Sequence, residues 1–249
     1  MTNLINQTLN NRYRLDALLG DGGMGTVYRA ADLNLERQVA VKLMHSHFAR
    51  QEEFRARLVQ EARTSAQLDH PSIVRVYDFG DSELGLFIAM EYVDGGSLRD
   101  HLRRLQRLQK YLPLAQCLQI GIQIAEALDY AHRRKIIHRD VKPSNIMIDS
   151  AGTVKLADFG IARAMDLTRM TGGVTMLGTP AYMSPDIETT AQSDLYGLGC
   201  VLFEMLTGAP PFVADSQQQV LMRHIRDVPH QHLLLAVGHE RRRAGEHLE

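Results

Sequence analysis

The spacing of apolar residues changes once along the chain, at the turn-forming residues Asp94, Gly95 and Gly96, and this change sets the strongest limit on the fold. Before the turn, apolar and polar residues alternate with a period of two, which is typical of strands. After it, apolar residues recur at helical spacing, which is typical of amphipathic helices. The sequence therefore predicts an α+β chain, mostly sheet in its first part and mostly helix in its second.

The same periodicity predicts the individual elements. The first part is expected to contain strands and one helix, which Pro71 ends. The second part is expected to contain a long amphipathic helix, a pair of short strands, an apolar helix inside a lobe, and one more short helix. The predicted strands are residues 13–19, 27–31, 38–44, 74–77, 86–92, 146–148 and 154–156, and the predicted helices are residues 51–68, 113–133, 194–206 and 215–227.

Composition excludes several kinds of protein. The chain has 249 residues with 28 Lys and Arg against 29 Asp and Glu, so no nucleic-acid binding through bulk positive charge is expected. No apolar run approaches the roughly 18 residues that cross a bilayer, so no membrane span is expected. The first residues lack a secretory signal, and the two cysteines, Cys117 and Cys200, make no disulfide framework. These features predict a cytoplasmic protein.

Gly20, Gly22 and Gly25 have a spacing that is typical of phosphate-binding loops, although ordinary turns also collect glycine. A dinucleotide-binding loop is followed by a helix, whereas a strand follows here. We therefore expect these glycines at the tip of a hairpin. Such a hairpin can lie over phosphates and offer backbone N–H groups where a side chain would clash.

Lys42 closes the run of residues 39–42 in the third predicted strand. Strand alternation places Ala40 and Lys42 on one face, where Ala40 leaves room for a flat base and Lys42 supplies a charge for phosphates. Taken alone, Lys42 is more simply interpreted as a solvated lysine at a strand end. Glu61, on the predicted helix 51–68, favours the functional interpretation because its carboxylate is available to hold Lys42 in position.

The most specific pattern is the segment 138–145, which is followed by Asp158. It offers two acids, a lysine and an amide, in Asp140, Lys142, Asn145 and Asp158. Phosphoryl transfer needs a carboxylate to orient the hydroxyl and accept its proton, hard oxygen ligands for Mg²⁺, and cations that offset the charge of the moving group. The joint and ordered occurrence of these residues predicts that chemistry.

Taken together, these segments resemble the eukaryotic-type protein kinases and are most similar to bacterial Ser/Thr kinases, over about residues 13–226. The resemblance implies a bilobal fold with an antiparallel-sheet N-lobe and a mostly helical C-lobe. It also implies transfer of the γ-phosphoryl group of MgATP to hydroxyl groups of protein substrates. A lysine two positions after Asp140, which is Lys142, points to Ser or Thr acceptors.

The resemblance implies a role for each matching residue. The catalytic set comprises the base, the γ-phosphate contact, and the lysine that grips the α and β phosphates with its acidic partner; these are Asp140, Lys142, Lys42 and Glu61. The Mg²⁺ ligands would be Asn145 and Asp158. The ATP-binding set comprises the glycine hairpin, the apolar residues around adenine, the gatekeeper and the hinge; these are Leu19, Gly20, Gly22, Gly25, Val27, Ala40, Lys42, Met90, Glu91, Val93 and Met147.

Further segments match the same family. Residues 178–185 resemble the segment that receives the substrate, with Thr179 near Asp140 and Lys142. Asp194 resembles a buried acid that holds the catalytic-loop backbone; its simpler interpretation is a helix N-cap, and both roles could hold. Thr175, or failing that Thr171, is expected to accept an activating phosphate, which Arg139 and Arg163 could bind.

The chain also departs from the family pattern. It has Ser184, Pro185 and Asp186 where Ala or Ser, Pro and Glu are usual, and the late helices of the family are not recognisable. We therefore expect an incomplete C-lobe whose 194–206 helix exposes apolar surface. Either a homo-oligomer or the tail, particularly residues 232–237, would cover that surface.

The expected organisation is an N-terminal extension over residues 1–12, an N-lobe over 13–94, a C-lobe over 95–228 and a tail over 229–249. An alternative function is a nucleotide-binding pseudokinase or scaffold, disabled by its shortened C-lobe. The intact set Lys42, Asp140, Asn145 and Asp158 favours the enzyme. Related bacterial kinases often continue into a membrane segment, so the chain could be the cytosolic part of a longer protein.

Overall fold

The computed structural model describes residues 4–49, 52–159, 180–186 and 189–227, and these form a sheet-rich N-lobe and a mostly helical C-lobe. The N-lobe sheet has six strands in the order β1-β2-β3-β4-β6-β5, all paired antiparallel. The strands are β1 (Thr8–Leu9), β2 (Tyr13–Asp21), β3 (Gly25–Asp32), β4 (Arg37–Met44), β5 (Val76–Ser82) and β6 (Gly85–Glu91). The α+β bilobal prediction is confirmed.

Strand β1 was not predicted, because two residues are too few to show alternation. It pairs with β2 and so adds part of the N-terminal extension to the sheet. Strands β2, β3, β4 and β6 lie close to their predicted bounds, whereas β5 (Val76–Ser82) is longer than the predicted strand 74–77 and extends well beyond its end. Two helices follow β4, the short α1 (Ser46–Ala49) and the longer α2 (Glu52–Ser65).

The two faces of β4 belong to different cores, as alternation requires. Val39 and Val41 pack on one face of the sheet with residues such as Phe87. Ala40 packs on the opposite face with Met90 and the apolar side of α2. Lys42 is a buried residue in the same strand. The prediction that Ala40 faces away from Val39 and Val41 is confirmed, and the α2 side of the sheet is the side that also borders the C-lobe.

A buried ion pair fastens the N-terminal extension to the sheet. Asp32 on β3 is fully buried, and Arg12 donates to both of its carboxylate oxygens, from Nε at 2.8 Å and from Nη2 at 2.9 Å. Arg12 Nη1 also reaches Asp78 at 3.2 Å, and Arg37 Nε lies 3.7 Å from Asp32. The Arg12 hydrogen bond outweighs the effect of burial and holds the pKa of Asp32 below its ordinary value.

The C-lobe is built around two helices that pack on each other. Its elements are α3 (Leu98–Arg107), α4 (Leu114–Arg133), a 3₁₀ turn (Pro143–Asn145), β7 (Ile146–Ile148), β8 (Val154–Leu156), a second 3₁₀ turn (Pro180–Tyr182), α5 (Ala191–Thr207) and α6 (Gln217–Arg226). Helix α4 turns its buried stripe, including Ile124 and Leu128, into the core that it shares with Val201 of α5. The predicted helices 113–133, 194–206 and 215–227 are confirmed as α4, α5 and α6.

The C-lobe leaves apolar side chains in solvent. Leu195 on α5 is 53% exposed, and Leu114, Leu118 and Ile122 line one side of α4 with exposed fractions of 45%, 54% and 57%. Exposed apolar surface on α5 was predicted and is confirmed at Leu195. The tail residues 232–237 lie outside the described residues. Within the described part of the chain, no helix combines the length and the apolar character that a bilayer crossing requires.

Candidate active site

The segment that follows α4 is fixed by one buried carboxylate. Asp194 is 1% exposed and accepts hydrogen bonds from the backbone N–H of His138 at 2.8 Å and of Arg139 at 2.7 Å. His132 Nε2 donates to the same carboxylate at 2.8 Å. The prediction that Asp194 holds this backbone is confirmed. The alternative that Asp194 is the N-cap is wrong, because α5 begins after Thr190 and Asp194 lies in its first turn.

This tether explains an unusual backbone conformation. Arg139 has φ of +72°, in the left-handed region that costs a non-glycine residue about 1 kcal/mol or more. The Asp194 carboxylate holds the N–H groups of two consecutive residues and thereby offsets that cost. The strained residue immediately precedes Asp140, so the strain fixes the direction in which the Asp140 side chain leaves the backbone.

Asp140 lies at the centre of a small polar cluster. Lys142 Nζ lies 2.6 Å from Asp140 Oδ2, and Asn145 Nδ2 donates to the same oxygen at 3.0 Å and to the Asp140 carbonyl at 2.9 Å. Because the Asn145 nitrogen is committed to Asp140, its Oδ1 acts as the acceptor end of the amide. The structure therefore brings three of the predicted residues together within hydrogen-bonding distance.

His138 joins this cluster to the strand that precedes Asp158. It is fully buried, and its Nε2 lies 2.8 Å from the Ala157 carbonyl, while its Nδ1 accepts from Asp140 N–H at 3.2 Å. A neutral ring protonated on Nε2 satisfies both bonds. The ring of Phe159 packs edge-on against His138, with the centroids 4.6 Å apart. His138 therefore links the backbone of Asp140 to the residue that precedes Asp158.

Asp158 forms a direct ion pair between the two lobes. Lys42 Nζ lies 2.7 Å from Asp158 Oδ2, which joins β4 to a residue 116 positions later in the chain. Asp158 has φ of +65°, a left-handed conformation that aspartate tolerates better than most residues. Burial acts to raise its pKa, but the charge and hydrogen bond of Lys42 prevail and hold the pKa below its ordinary value.

Helix α2 lies next to the segment that contains Asp158 and Phe159. Glu61 is 8% exposed on the buried side of α2, and Ser65, one turn further on, donates from Oγ to the Phe159 carbonyl at 2.8 Å. A small cavity lies between α2 and Met90 and reaches Asp158 and Phe159. Helix α2 is thus attached to the segment around Asp158 by a buried hydrogen bond. The role of Glu61 as the partner of Lys42 stays a prediction.

The glycine hairpin contains glycines of two kinds. At Gly25, a Cβ atom would lie 2.3 Å from the Leu43 carbonyl oxygen, so the packing of β3 on β4 excludes any side chain. At Gly20 no atom lies within 4 Å of such a Cβ, and at Gly22 the nearest is the Gly25 carbonyl oxygen at 3.7 Å. None of the three has a positive φ. Neither packing nor backbone conformation within the described residues therefore requires glycine at 20 or 22.

The predicted adenine contacts lie next to the hairpin. Ala40, Met90 and Val93 are buried in one cluster, and Val27 and Met147 pack against it. Met147 comes from the C-lobe, so this cluster spans both lobes. Glu91 sits where β6 leaves the sheet: its N–H donates to the Arg75 carbonyl at 2.8 Å, and its carboxylate lies 2.9 Å from Lys155 Nζ on β8. Leu19 is 47% exposed on β2 and precedes Gly20, the register partner of Val27.

A second segment approaches the polar cluster from the side of α5. Tyr182 Oη donates to Glu204 Oε2 at 2.5 Å, and burial raises the pKa of both groups. Asp186, which replaces the usual glutamate, accepts from Ser184 Oγ at 2.8 Å. Gly178, Thr179, Arg163 and the predicted phosphate acceptors Thr171 and Thr175 lie outside the described residues.

The residues of the site fit a nucleotide triphosphate with Mg²⁺. Magnesium is usually held by one or two carboxylates together with phosphate oxygens and water, and Asp158 and Asn145 supply a carboxylate and an amide oxygen. No cluster of three or more His, Cys, Asp or Glu side chains suited to a metal ion occurs among the described residues. The open space at the Gly20 and Gly22 Cβ positions and the buried cation of Lys42 suit phosphates.

A sheet-rich lobe joined through Lys42 and Asp158 to a helical lobe that carries the Asp140 cluster defines a class of phosphoryl-transfer proteins. Comparison with known families agrees: residues 13–244 match the protein kinase domain. The chain therefore belongs to the protein kinase domain family.

Individual relatives are bacterial kinases. The chain is 45% identical over 230 residues to the serine/threonine-protein kinase PknB of Mycobacterium leprae, covering 89% of this chain and 36% of that protein. It is 46% identical over 231 residues to a probable serine/threonine-protein kinase of Streptomyces coelicolor, covering 89% and 34%. The chain thus spans about a third of the length of the curated relatives it matches.

The fold has a solved counterpart at similar size. The crystal structure of a point mutant of the Mycobacterium tuberculosis PknI kinase domain superposes with a TM-score of 0.69, at 29% identity and with 92% of each chain covered. The predicted resemblance to bacterial Ser/Thr kinases is confirmed by these comparisons.

Sequence reasoning did not find every residue that shapes the site. The sequence indicates His138 only as part of the 138–145 segment, and it does not indicate the pair of Tyr182 and Glu204. In both cases the partner is distant in sequence: His138 bonds across 19 residues and Tyr182 across 22. The only signal for His138 was its place two residues before Asp140.

Proposed function

We propose that this chain is an ATP-dependent Ser/Thr protein kinase that transfers the γ-phosphoryl group of MgATP to hydroxyl groups of protein substrates. The observation that carries the proposal is the meeting of Lys42 and Asp158 at 2.7 Å beside the cluster of Asp140, Lys142 and Asn145. These residues come from different lobes and from distant parts of the chain. No packing requirement accounts for gathering two cations and two carboxylates at one lobe boundary, whereas phosphoryl transfer needs them.

Each residue would contribute one task. Asp140 would orient the acceptor hydroxyl and take its proton, while Lys142, 2.6 Å away, would offset negative charge on the transferred group. Lys42 would hold the non-transferred phosphates, with Glu61 as its partner, and Asn145 and Asp158 would hold Mg²⁺. When bound, Mg²⁺ neutralises charge on the phosphate oxygens. The hairpin glycines and the apolar cluster around Ala40 would place the nucleotide, with Leu19, Met90, Glu91, Val93 and Met147 around the adenine.

The decisive experiment compares transfer of labelled phosphate from ATP to a Thr-containing protein by wild type and Asp140→Asn. The loss of a positioned base is expected to lower the rate by about 100-fold or more. Asp215→Asn is the matched control, since Asp215 is an exposed acid of the same lobe. Equal labelling by wild type and Asp140→Asn would reject Asp140 as the base. ATP binding without transfer by wild type would instead support the pseudokinase alternative.

Regulation by phosphorylation of the loop after Asp158 is part of the proposal. Thr175, or failing that Thr171, would accept the phosphate, and Arg139 beside the catalytic base would bind it. Arg139 Nε is buried and has no hydrogen-bond partner among the described residues, which supports this role. Thr175→Ala with unchanged activity would exclude Thr175 as the main site.

Self-association is a further part of the proposal. The exposed residues Leu195, Leu114, Leu118 and Ile122 support a homo-oligomer in which a second copy covers them. Light scattering that shows one monomeric species at every concentration would contradict this proposal.

We further propose a cytosolic location, either alone or as the cytosolic part of a longer membrane-anchored kinase.

A further inference from the structure

Helix α3 carries four arginines and a single acid. The arginines are Arg99, Arg103, Arg104 and Arg107, and the acid is Asp100. Asp100 belongs to a capping box: its N–H donates to Ser97 Oγ at 3.2 Å, and its carboxylate accepts from Ser97 N–H at 3.3 Å. The one negative charge of the helix is therefore engaged at its first turn.

The arginines of α3 differ from exposed arginines on neighbouring helices. On α4, Arg133 pairs with Asp129 at 2.9 Å, and on α6, Arg223 pairs with Asp227 at 3.1 Å. Among the described residues, none of the four α3 arginines forms such an ion pair. Within the part of the chain that the structure describes, Arg103, Arg104 and Arg107 are exposed without an acidic partner, whereas Arg99 is half-buried and interacts with Glu204 of α5.

Helix stability accounts for only some of the four arginines of α3. Arg104 and Arg107 lie in the last turn, where a cation is favourable because it opposes the negative end of the helix dipole. Arg99 lies in the first turn, where a positive charge is unfavourable for the same reason. The helix dipole therefore does not account for Arg99, whose charge is attracted instead by Glu204 of α5.

Three of the arginines line one side of the helix. Leu98 is fully buried and Leu102 packs against the C-lobe core, which fixes the buried side of α3. Arg99, Arg103 and Arg107 follow at intervals of four residues, so they lie one above the other on a different side. We call these three residues the arginine ridge. Arg103 and Arg107 are exposed and Arg99 is half-buried.

The ridge begins beside the active site. Helix α3 contacts the 3₁₀ turn Pro143–Asn145, which directly follows Lys142. Burial raises the pKa of Glu204, and the hydrogen bond from Tyr182 and the positive charge of Arg99 act in the opposite direction. Arg99 is thus within electrostatic reach of Glu204 and Tyr182, and the other two arginines lead away from them along the helix.

We propose that the arginine ridge binds acidic side chains of the protein substrate, on a stretch next to the acceptor hydroxyl. This inference rests on the proposed function and adds the substrate class. Residues four apart on a helix are separated by about 6 Å along the axis, and alternate residues of an extended peptide by about 6.6 Å. An extended segment with carboxylates at alternate positions therefore matches the ridge in spacing as well as in charge. Arginine also binds carboxylates through bidentate hydrogen bonds.

The test uses pairs of Thr peptides that differ only in three alternate residues, which are Glu in one and Gln in the other. The three residues are placed on the amino side of Thr in one pair and on the carboxyl side in a second. Each exposed ion pair contributes a small factor, so we expect the Glu version of one pair to have a KM lower by about fivefold, with kcat little changed. The advantage should fade as ionic strength rises above about 0.15 M.

Variants locate the effect. Arg103→Gln/Arg107→Gln should raise KM for the preferred Glu peptide by about threefold and leave KM for the Gln peptide unchanged, and Arg103→Lys/Arg107→Lys should restore part of the loss. Arg57→Gln/Arg63→Gln is the matched control, because it removes two exposed arginines from α2 in the other lobe. Equal loss in the ridge variant and the control would overturn the inference.

A binding measurement separates this inference from the proposed function. Fluorescence anisotropy of the same peptides with the Asp140→Asn protein needs no transfer, so a Glu preference that depends on Arg103 and Arg107 supports the ridge even if wild type transfers nothing. Transfer to both peptides with the same KM overturns the ridge and leaves the kinase intact. Ridge-dependent binding to phosphatidylserine vesicles, without any preference for Glu peptides, would assign the ridge to a membrane surface and also overturn the inference.

Discussion

Among the described residues, each lobe has one fully buried aspartate, and the two differ in their main hydrogen-bond donors. Asp32 in the N-lobe is bound by the guanidinium of Arg12, which closes an ion pair between the extension and β3. Asp194 in the C-lobe is bound by two backbone N–H groups and His132. A carboxylate that binds a side chain holds elements together, whereas a carboxylate that binds consecutive N–H groups sets the shape of a loop. We therefore expect the first to govern stability and the second to govern activity.

The largest expected effect is on stability in the N-lobe. Arg12→Leu would leave the buried Asp32 carboxylate with the backbone N–H of Asn34 and the more distant Arg37 but without its close cation, which should lower the free energy of unfolding by about 3 kcal/mol. Urea denaturation followed by circular dichroism measures this. Arg14→Leu removes an exposed partner of Asp16 from the same sheet and should cost less than about 1 kcal/mol. Similar losses in both variants would contradict the distinction.

The next effect is on activity in the C-lobe. Asp194→Asn keeps the size of the side chain but offers one acceptor oxygen to two N–H groups, so the left-handed conformation of Arg139 is no longer held. Displacing a catalytic group by about 1 Å can cost about 100-fold, and we expect a fall of that order in kcat. Steady-state kinetics measures it, with Asp215→Asn as the control of equal chemistry in an exposed position. Full activity in a folded Asp194→Asn protein would refute the tether.

The pH dependence of stability sharpens the comparison further. The pKa of folded Asp32 lies below the ordinary value of about 3.9, so its ion pair contributes stability above that value and loses it as pH falls through the folded pKa. The stability gap between wild type and Arg12→Leu should therefore narrow as the pH falls from 7 toward and below the ordinary aspartate pKa. Urea midpoints at several pH values give the gap, and a constant gap would show that the Asp32 charge is not what Arg12 holds.

The smallest effect concerns the third partner of Asp194. His132→Phe removes one donor and leaves both backbone bonds in place, so kcat should fall by about fivefold, the equivalent of roughly 1 kcal/mol. His132→Asn retains a donor and should recover part of the loss. A fall as large as that of Asp194→Asn would mean that His132, rather than the backbone bonds, orients the carboxylate.

Sequence reasoning succeeded where one local pattern decides the outcome. Alternation placed Ala40 opposite Val39 and Val41 because a strand has only two faces. It missed α3, where charged and polar residues occupy seven of the ten positions and leave too narrow an apolar stripe to recognise. Motifs identified Lys42 and Asp158 as site residues. Their direct contact could not be predicted, because it depends on the relative arrangement of the two lobes. Sequence reasoning left the role of Asp194 open, because a first-turn acid fits a cap as well as a tether.

Substitutions at the two kinds of glycine in the hairpin would cause loss of function at different stages in a living cell. A substitution at Gly25 collides with the Leu43 carbonyl, so the altered chain would be removed by chaperones and proteases before it had worked at all. A substitution at Gly20 meets open space, so on the proposed function the altered chain would accumulate in full amount and fail only when it met a nucleotide. Abundance alone would therefore report the first kind of damage and conceal the second.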